Sequence, residues 1–246
     1  MTRIVKILLL YMSFGIFGIG ALLLRYCVLI FPEYFIKNRE KKLKICLRIL
    51  KKSWQIFTAF LKSVRIIQIN NAEEIKNIKN SIIVSTHPSY IDVLVLMSII
   101  PNTTCFVAEK ILRNPFFKGM ADLLFISDSK NIDEWEKTAV DILNSGFNVL
   151  IFPMGERHKK NEKPKIRKGA ALLAQKSKKN TAMIQIDTSY DFLSKNTPIH
   201  KIKSEPVIYN LSFLGEIKTE ELLNKYSDDI TFKREFTKII TDNLYK

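Results

Sequence analysis

The sequence predicts an α/β fold, a mixed, largely parallel sheet flanked by helices, preceded by an N-terminal helical membrane anchor. Three observations predict it. An uncharged apolar run occupies the start of the chain, a polybasic stretch follows, and from about Val64 onward short β-branched runs alternate with helical patterns. Strand–helix alternation is the pattern of a sheet covered by helices, with sites collecting at the carboxyl ends of strands. At 246 residues the chain has room for one such domain plus an anchoring segment. The boundary is expected at residues 1–62 for the anchor and 63–246 for the domain.

From Ile7 to Leu24 the chain reads ILLLYMSFGIFGIGALLL, eighteen residues without a charge. That is the lower edge of a transmembrane helix, since about 20 residues are needed to cross a ~30 Å hydrocarbon layer. A cleavable signal peptide is the competing reading. Arg3 and Lys6 supply its basic start, but no small-x-small cleavage site follows the run. The pattern leaves open whether the segment spans the bilayer or lies half-inserted with Arg25 at the headgroups. Gly15, Gly18 and Gly20 are places for a bend or a close helix contact.

Between Lys37 and Lys52 eight basic residues face the single acid Glu40, while Leu43, Cys46, Leu47, Leu50, Trp54, Phe57 and Leu61 recur at spacings of three and four. An apolar stripe beside a basic face suits a helix lying on anionic lipid; a core-packed helix with a solvated basic face is the alternative. By the positive-inside rule the stretch belongs in the cytoplasm. The expected location is therefore the inner (cytoplasmic) membrane, with the folded domain on its cytoplasmic face.

The expected strands are Arg65–Ile69, Ser81–Ser85, Asn148–Phe152, Ala182–Ile186 and Pro206–Leu211. Helices are expected at Asp92–Ile100, Pro115–Leu124, Ile132–Ser145, Lys168–Lys176 and Lys233–Leu244, with Gly146 as a helix stop. The formal charge of +15 points to an anionic partner: nucleic acid, lipid headgroups, an acidic carrier or a phosphate substrate. No nucleic-acid module is recognisable, and much of the excess charge lies beside the apolar segment, so nucleic acid is not an expected partner. The three cysteines, Cys27, Cys46 and Cys105, are scattered and form no CxxC, which argues against a disulfide framework or a zinc site.

Two strand ends carry the chemistry. After the Ser81–Ser85 run comes Thr86-His87-Pro88-Ser89-Tyr90-Ile91-Asp92, then an apolar helix. Pro88 suits the first turn of that helix, which places His87 just before it and lets its ring fold back toward Asp92. A carboxylate on one ring nitrogen fixes the tautomer and favours the imidazolium that forms when the other nitrogen takes a proton. By itself a His-x₄-Asp spacing is weak, because a lone histidine is more often a structural hydrogen-bonder. The second strand end reads Phe152-Pro153-Met154-Gly155-Glu156-Arg157. There Pro153 and Gly155 favour a tight turn that exposes backbone amides, and Arg157 suits bidentate phosphate binding. The basic residues beyond it, Lys159 to Lys168, read as a solvated loop.

These residues together resemble the PlsC-like glycerophospholipid acyltransferases, whose signature is His-x₄-Asp after a strand and Phe-Pro-Glu-Gly-Thr-Arg downstream. The resemblance covers roughly Val64 to Leu214. His87 and Asp92 match the catalytic motif. Phe152, Pro153, Gly155 and Arg157 match the acceptor motif, and Leu112-Arg113-Asn114-Pro115-Phe116-Phe117 is similar to the block between them. Lys168-Gly169-Ala170 and the strand Ala182–Ile186 fall where the family's later blocks lie.

The resemblance implies a membrane O-acyltransferase in which His87 is the general base and Asp92 its orienter. Arg157, Gly155, Pro153, Lys110 and Arg113 would then be substrate-binding. It implies acyl-CoA or acyl-carrier protein as donor, no metal and no cofactor, a lysophospholipid such as 1-acylglycerol-3-phosphate as acceptor, and anionic membrane lipids as surroundings. Met154 and Glu156 depart from the family's Glu and Thr, Phe125-Ile126-Ser127-Asp128 lacks the usual arginine, and Ala182–Ile186 lacks a proline. These departures keep a different lipid acceptor open, and the His87–Asp92 stretch is itself similar to a subgroup associated with aryl-polyene-type lipid pathways. A non-catalytic lipid-binding protein on the same fold is the reading from another class.

Overall fold

The computed structural model describes residues 2–109, 124–127, 132–160 and 162–245. Seven strands form one sheet: β1 (Ile67–Asn70), β2 (Ile82–Ser85), β3 (Thr103–Val107), β4 (Phe125–Ser127), β5 (Asn148–Ile151), β6 (Thr181–Thr188) and β7 (Val207–Ile217). Their spatial order is β1-β7-β6-β2-β5-β3-β4. Every neighbouring pair is parallel except β6–β7. The sheet is mixed and largely parallel, as the alternation predicted.

The central strands β2 and β5 are buried along their whole length. This is why they read as continuous apolar runs rather than alternating ones. Ile83 faces one core and its neighbours Ile82 and Val84 the other, so a single strand feeds both layers. The first layer holds α1 (Arg3–Leu23), α3 (Arg39–Ser63) and α4 (Asp92–Ile99). Between α1 and α3 runs a π-helical turn, Leu24–Leu29, that leads into α2 (Ile30–Phe35). The second layer holds α5 (Ile132–Asn144), α6 (Gly169–Ser177), α7 (Thr219–Lys225) and α8 (Asp229–Leu244).

Several expectations need correction. The expected strands are all present, but β3 and β4 were not foreseen; β4 is three residues long, too short for a period to show. Helix α7 was also unforeseen. Helix α8 begins earlier than expected because Asp228 caps it, accepting from the Ile230 and Thr231 amides. Helix α4 starts at Asp92, so Pro88 lies in a turn rather than in the helix. The Ser89 amide is taken by the Asp92 carboxylate and the Tyr90 amide by the Leu193 carbonyl, contacts that hold this stretch ahead of the helix. The expected helix Pro115–Leu124 lies outside the described residues except for Leu124, which is buried. Gly146, with φ of +85°, does follow the end of α5.

The amphipathic stripe of α3 also differs from the first expectation. Cys46, Leu47, Leu50, Trp54 and Leu61 are buried within the protein core, and Lys51 and Gln55 donate to the Ile99 and Ser98 carbonyls at the end of α4. The stripe packs against α4 and the domain core rather than lying free for lipid. The apolar surface left exposed lies instead on α1 and the residues after it: Ile4, Leu8, Tyr11, Ile19, Phe31 and Phe35 are all more than half exposed. Helix α1 is docked along its other face by Lys6, Leu10, Ser13 and Ala21, with Lys6 Nζ donating to the Glu205 carbonyl. The irregularity in this helical stretch, which runs Arg3–Phe35 and is long and apolar enough to cross a membrane, falls at Leu24–Leu29 rather than at the glycines.

Candidate active site

Strand β2 delivers the first turn. Thr86 fastens its end to β6, its hydroxyl donating to the Ile186 carbonyl at 3.0 Å and accepting from the Ile186 amide at 2.7 Å. One residue on, His87 Nδ1 lies 2.8 Å from Asp92 Oδ2. The same carboxylate oxygen accepts from the Ser89 amide at 2.7 Å. Asp92 is the first residue of α4, where a helix N-terminus favours negative charge. A carboxylate can only accept, so the proton sits on Nδ1 and Nε2 keeps its lone pair. Phe152, from the second turn, stacks on the imidazole with centroids 4.0 Å apart, which fixes the ring plane, while Asp92 fixes the tautomer.

Asp92 is fully buried. Burial pushes its carboxyl above the usual carboxylate range. The hydrogen bond from His87, the charge His87 acquires on protonation and the Ser89 amide pull the other way. Behind it lies Tyr209, whose phenol is likewise pushed up by burial and by the nearby Asp92 charge.

Strand β5 delivers the second turn. The Gly155 amide donates to the Phe152 carbonyl at 2.9 Å, so it closes the turn itself rather than facing outward as the sequence suggested. Gly155 has φ of +77°, a conformation that favours glycine, and a Cβ there would stand 2.6 Å from the Arg167 guanidinium carbon, so a side chain would strain the turn and displace Arg167. Arg157 donates to the Leu193 carbonyl at 2.7 Å and lies over the Tyr90 ring at 5.3 Å. With one edge held this way, its remaining N–H groups are pre-oriented for an anion.

Both turns open on one cleft. A lobe of about 410 Å³ is lined by His87, Tyr90, Trp54, Phe17, Arg157 and Lys195. A second, of about 390 Å³, is lined by His87, Phe106, Trp135, Phe152, Pro153 and Arg167. His87 and Gly155 belong to both. Phe17 and Trp54 also line an apolar groove of about 370 Å³ between α1 and α3, so the first lobe and the groove share a wall.

The fold therefore brings together His87, Asp92, Pro153, Gly155 and Arg157. Lys110 and Arg113 lie outside the described residues. Of the two departures from the acceptor motif, Met154 is buried with Ile166 and Ala170 in the second core and does not face the cleft. Glu156 does, and it pairs with Lys195 at 2.6 Å. Lys195, Trp54 and Phe17 join the site from remote segments, where no local motif marks them for it. Arg167 was visible but read as part of a solvated basic loop.

A model of the acyltransferase family matches residues 66–190. A 1-acyl-sn-glycerol-3-phosphate acyltransferase from Helicobacter pylori is 30% identical over 152 residues, which covers 57% of this chain and 64% of that protein. The chain thus matches just under two thirds of that relative's length. The crystal structure of the 1-acyl-sn-glycerophosphate (LPA) acyltransferase PlsC from Thermotoga maritima superposes with a TM-score of 0.70 at 16% identity, covering 99% of this chain and 96% of that one, a likeness of fold. The family match spans more than half of the chain and includes both turns of the cleft: this protein belongs to the acyltransferase family.

Proposed function

We propose that this chain is a membrane-associated O-acyltransferase that moves a fatty acyl group from a thioester, acyl-CoA or acyl-carrier protein, to the hydroxyl of a lysophospholipid-type acceptor such as 1-acylglycerol-3-phosphate. The observation that carries the reading is the His87–Asp92 pair, whose unprotonated Nε2 shares a cleft with the half-held Arg157. The H. pylori relative bears the name of that activity and supports the acceptor class.

Neutral His87 takes the acceptor's hydroxyl proton on Nε2 as the oxygen attacks the thioester carbonyl. The tetrahedral adduct collapses with cleavage of the C–S bond, and the imidazolium returns its proton to the leaving thiolate. Products are an ester and a thiol. Asp92 stabilises the imidazolium between the two steps, and Arg157 holds an anionic acceptor beside the base. The thioester is already activated, so positioning and base catalysis, the latter ~10²–10⁴-fold, suffice without a metal or other cofactor.

The apolar groove between α1 and α3 is suited to an acyl chain entering from lipid. One face of α1 is occupied by the domain and the other is apolar and exposed, which favours a segment half-inserted in one leaflet over one that spans. Exposed basic residues of α3 favour the cytoplasmic leaflet of the inner membrane. The test is purified protein in vesicles, given labelled acyl-CoA or acyl-carrier protein and a panel of acceptors. Esterified lysophosphatidic acid, formed by the wild type and not by His87→Ala, is expected. Thioester turnover that persists in His87→Ala would sink the mechanism, and ester formation on other acceptors alone would sink the acceptor assignment.

A further inference from the structure

The two turns are tied to each other by a residue that neither lobe of the cleft exposes. His158, 5% exposed, follows Arg157 directly. Its amide donates to the His87 carbonyl at 3.0 Å, and the His87 amide donates back to its Nε2 at 3.2 Å. Its Nδ1 lies 2.9 Å from the Lys159 carbonyl oxygen. A carbonyl only accepts, so Nδ1 carries the proton and Nε2 is the acceptor. Tyr245 packs edge-on against the ring with centroids 5.7 Å apart, which holds it in place.

The position matters. Thr86 makes the last main-chain bond of β2 to β6, through its amide to the Ile184 carbonyl, and the β2–β5 register ends at Val84 and Ile151. Beyond those points the backbone of His87 has no strand partner. The reciprocal pair with His158 continues the β2–β5 connection past the sheet, with an imidazole nitrogen standing where a strand carbonyl would be.

We infer that His158 is a positioning residue that fixes the backbone of His87 to the turn carrying Arg157, so that the base and the acceptor's anchor keep one spacing. The inference rests on the reading of His87 as the base. His158 touches no substrate; it acts only through His87. The contact needs a lone pair on Nε2, because an N–H there would face the His87 amide donor to donor.

The test compares His158→Gln with His158→Met in the full chain. Gln places a carboxamide oxygen near the Nε2 position and still accepts; Met has similar length and volume without a competent acceptor. Displacing a base by a fraction of an ångström costs on the order of 10–100-fold, so Met is expected to lower kcat by about that factor with acceptor KM changed less than about twofold, while Gln stays within about threefold of wild type. Equal kcat values for the two variants would overturn the inference, as would an effect confined to KM, which would assign His158 to Arg157. If Met melts below the assay temperature, the folded Gln variant decides against wild type: retained kcat supports the inference and a loss beyond about tenfold overturns it. An active His87→Ala would instead remove the base reading itself, a separate outcome.

Discussion

The turn after β2 and the turn after β5 do different work with different materials. In the first, the His87 ring finds its partner within a few residues: Nδ1 and the Ser89 amide both go to Asp92, a carboxylate removed from solvent. In the second, the charged groups look outward and find partners far along the chain, Arg157 at Leu193 and Glu156 at Lys195. The first is a closed, desolvated device whose chemistry is set by local geometry. The second is a partly solvated surface whose preference depends on a segment some thirty-six residues on. On the proposed function, reaction type would belong to the closed turn and acceptor choice to the open one.

The comparison breaks most sharply at His87. Replacing it with Ala removes the only atom of the pair that exchanges a proton, and acyl transfer should fall about 10³-fold or more, within the range expected of a general base. Acceptor binding, held by Arg157, should survive. A kcat within tenfold of wild type would show that the closed turn is not the reacting centre.

Asp92→Asn separates charge from geometry. The Ser89 amide requires an acceptor at the Oδ2 position, so the carboxamide oxygen stays there and still takes the Nδ1 proton. The tautomer of His87 is kept, the negative charge is lost and an N–H₂ group replaces the buried, unpartnered Oδ1, so kcat should drop by about 10–100-fold, less than on losing the base. The stability difference should depend on pH. Burial raises the Asp92 carboxyl in the folded state. As pH rises from the unfolded value through the folded one, the unfolded chain gives up its proton first, and stability declines. The Asn variant escapes that decline. The buried N–H₂ adds a cost that does not change with pH, so the melting temperature of the variant relative to wild type should be more favourable at neutral pH than in acid below the unfolded value. A difference that moves the other way between acid and neutral pH would show instead that the carboxylate stabilises the fold.

How much of this the sequence displayed follows the same division. The buried parallel strands showed as apolar runs, and the His87–Asp92 pair showed as a spacing in a strand-to-helix context, because those features are made by neighbours in the chain. Strands β3 and β4 did not, since Thr103–Val107 carries no alternation and β4 is only three residues long. The stripe on α3 was visible, but periodicity cannot distinguish a face that meets lipid from one that meets the protein core. Met154 looked like a change in the acceptor site, yet its side chain turns into the core. His158 stood in plain view beside Arg157, but its use is a main-chain contact, which no residue pattern encodes.

In the open turn, Arg157→Ala should raise acceptor KM on the order of tenfold, the loss expected for a charge-assisted hydrogen bond, with a smaller change in kcat. Arg157→Lys should fall between, because it keeps the charge and loses both the Leu193 bond and the planar contact with Tyr90. An acceptor KM unchanged in both variants would move the anion site elsewhere in the cleft.

The smallest effect is expected at Glu156. Its pair with Lys195 is about half exposed on both sides, so it contributes at most ~1 kcal/mol to stability and Glu156→Thr should leave the melting temperature nearly unchanged. The charge balance of the first lobe is another matter. Removing Glu156 leaves Lys195 and Arg157 on one wall, and two cations there favour a more highly charged headgroup. Acylation of a phosphomonoester acceptor relative to a zwitterionic or neutral one should rise by about two- to fivefold at low salt, and the gain should shrink as salt shortens the Debye length to ~3 Å at 1 M. A preference that rises equally at all salt concentrations would point to a shape effect of the shorter side chain. A preference that does not move would place the choice of acceptor with Arg157 alone and reduce the Glu156–Lys195 pair to surface chemistry.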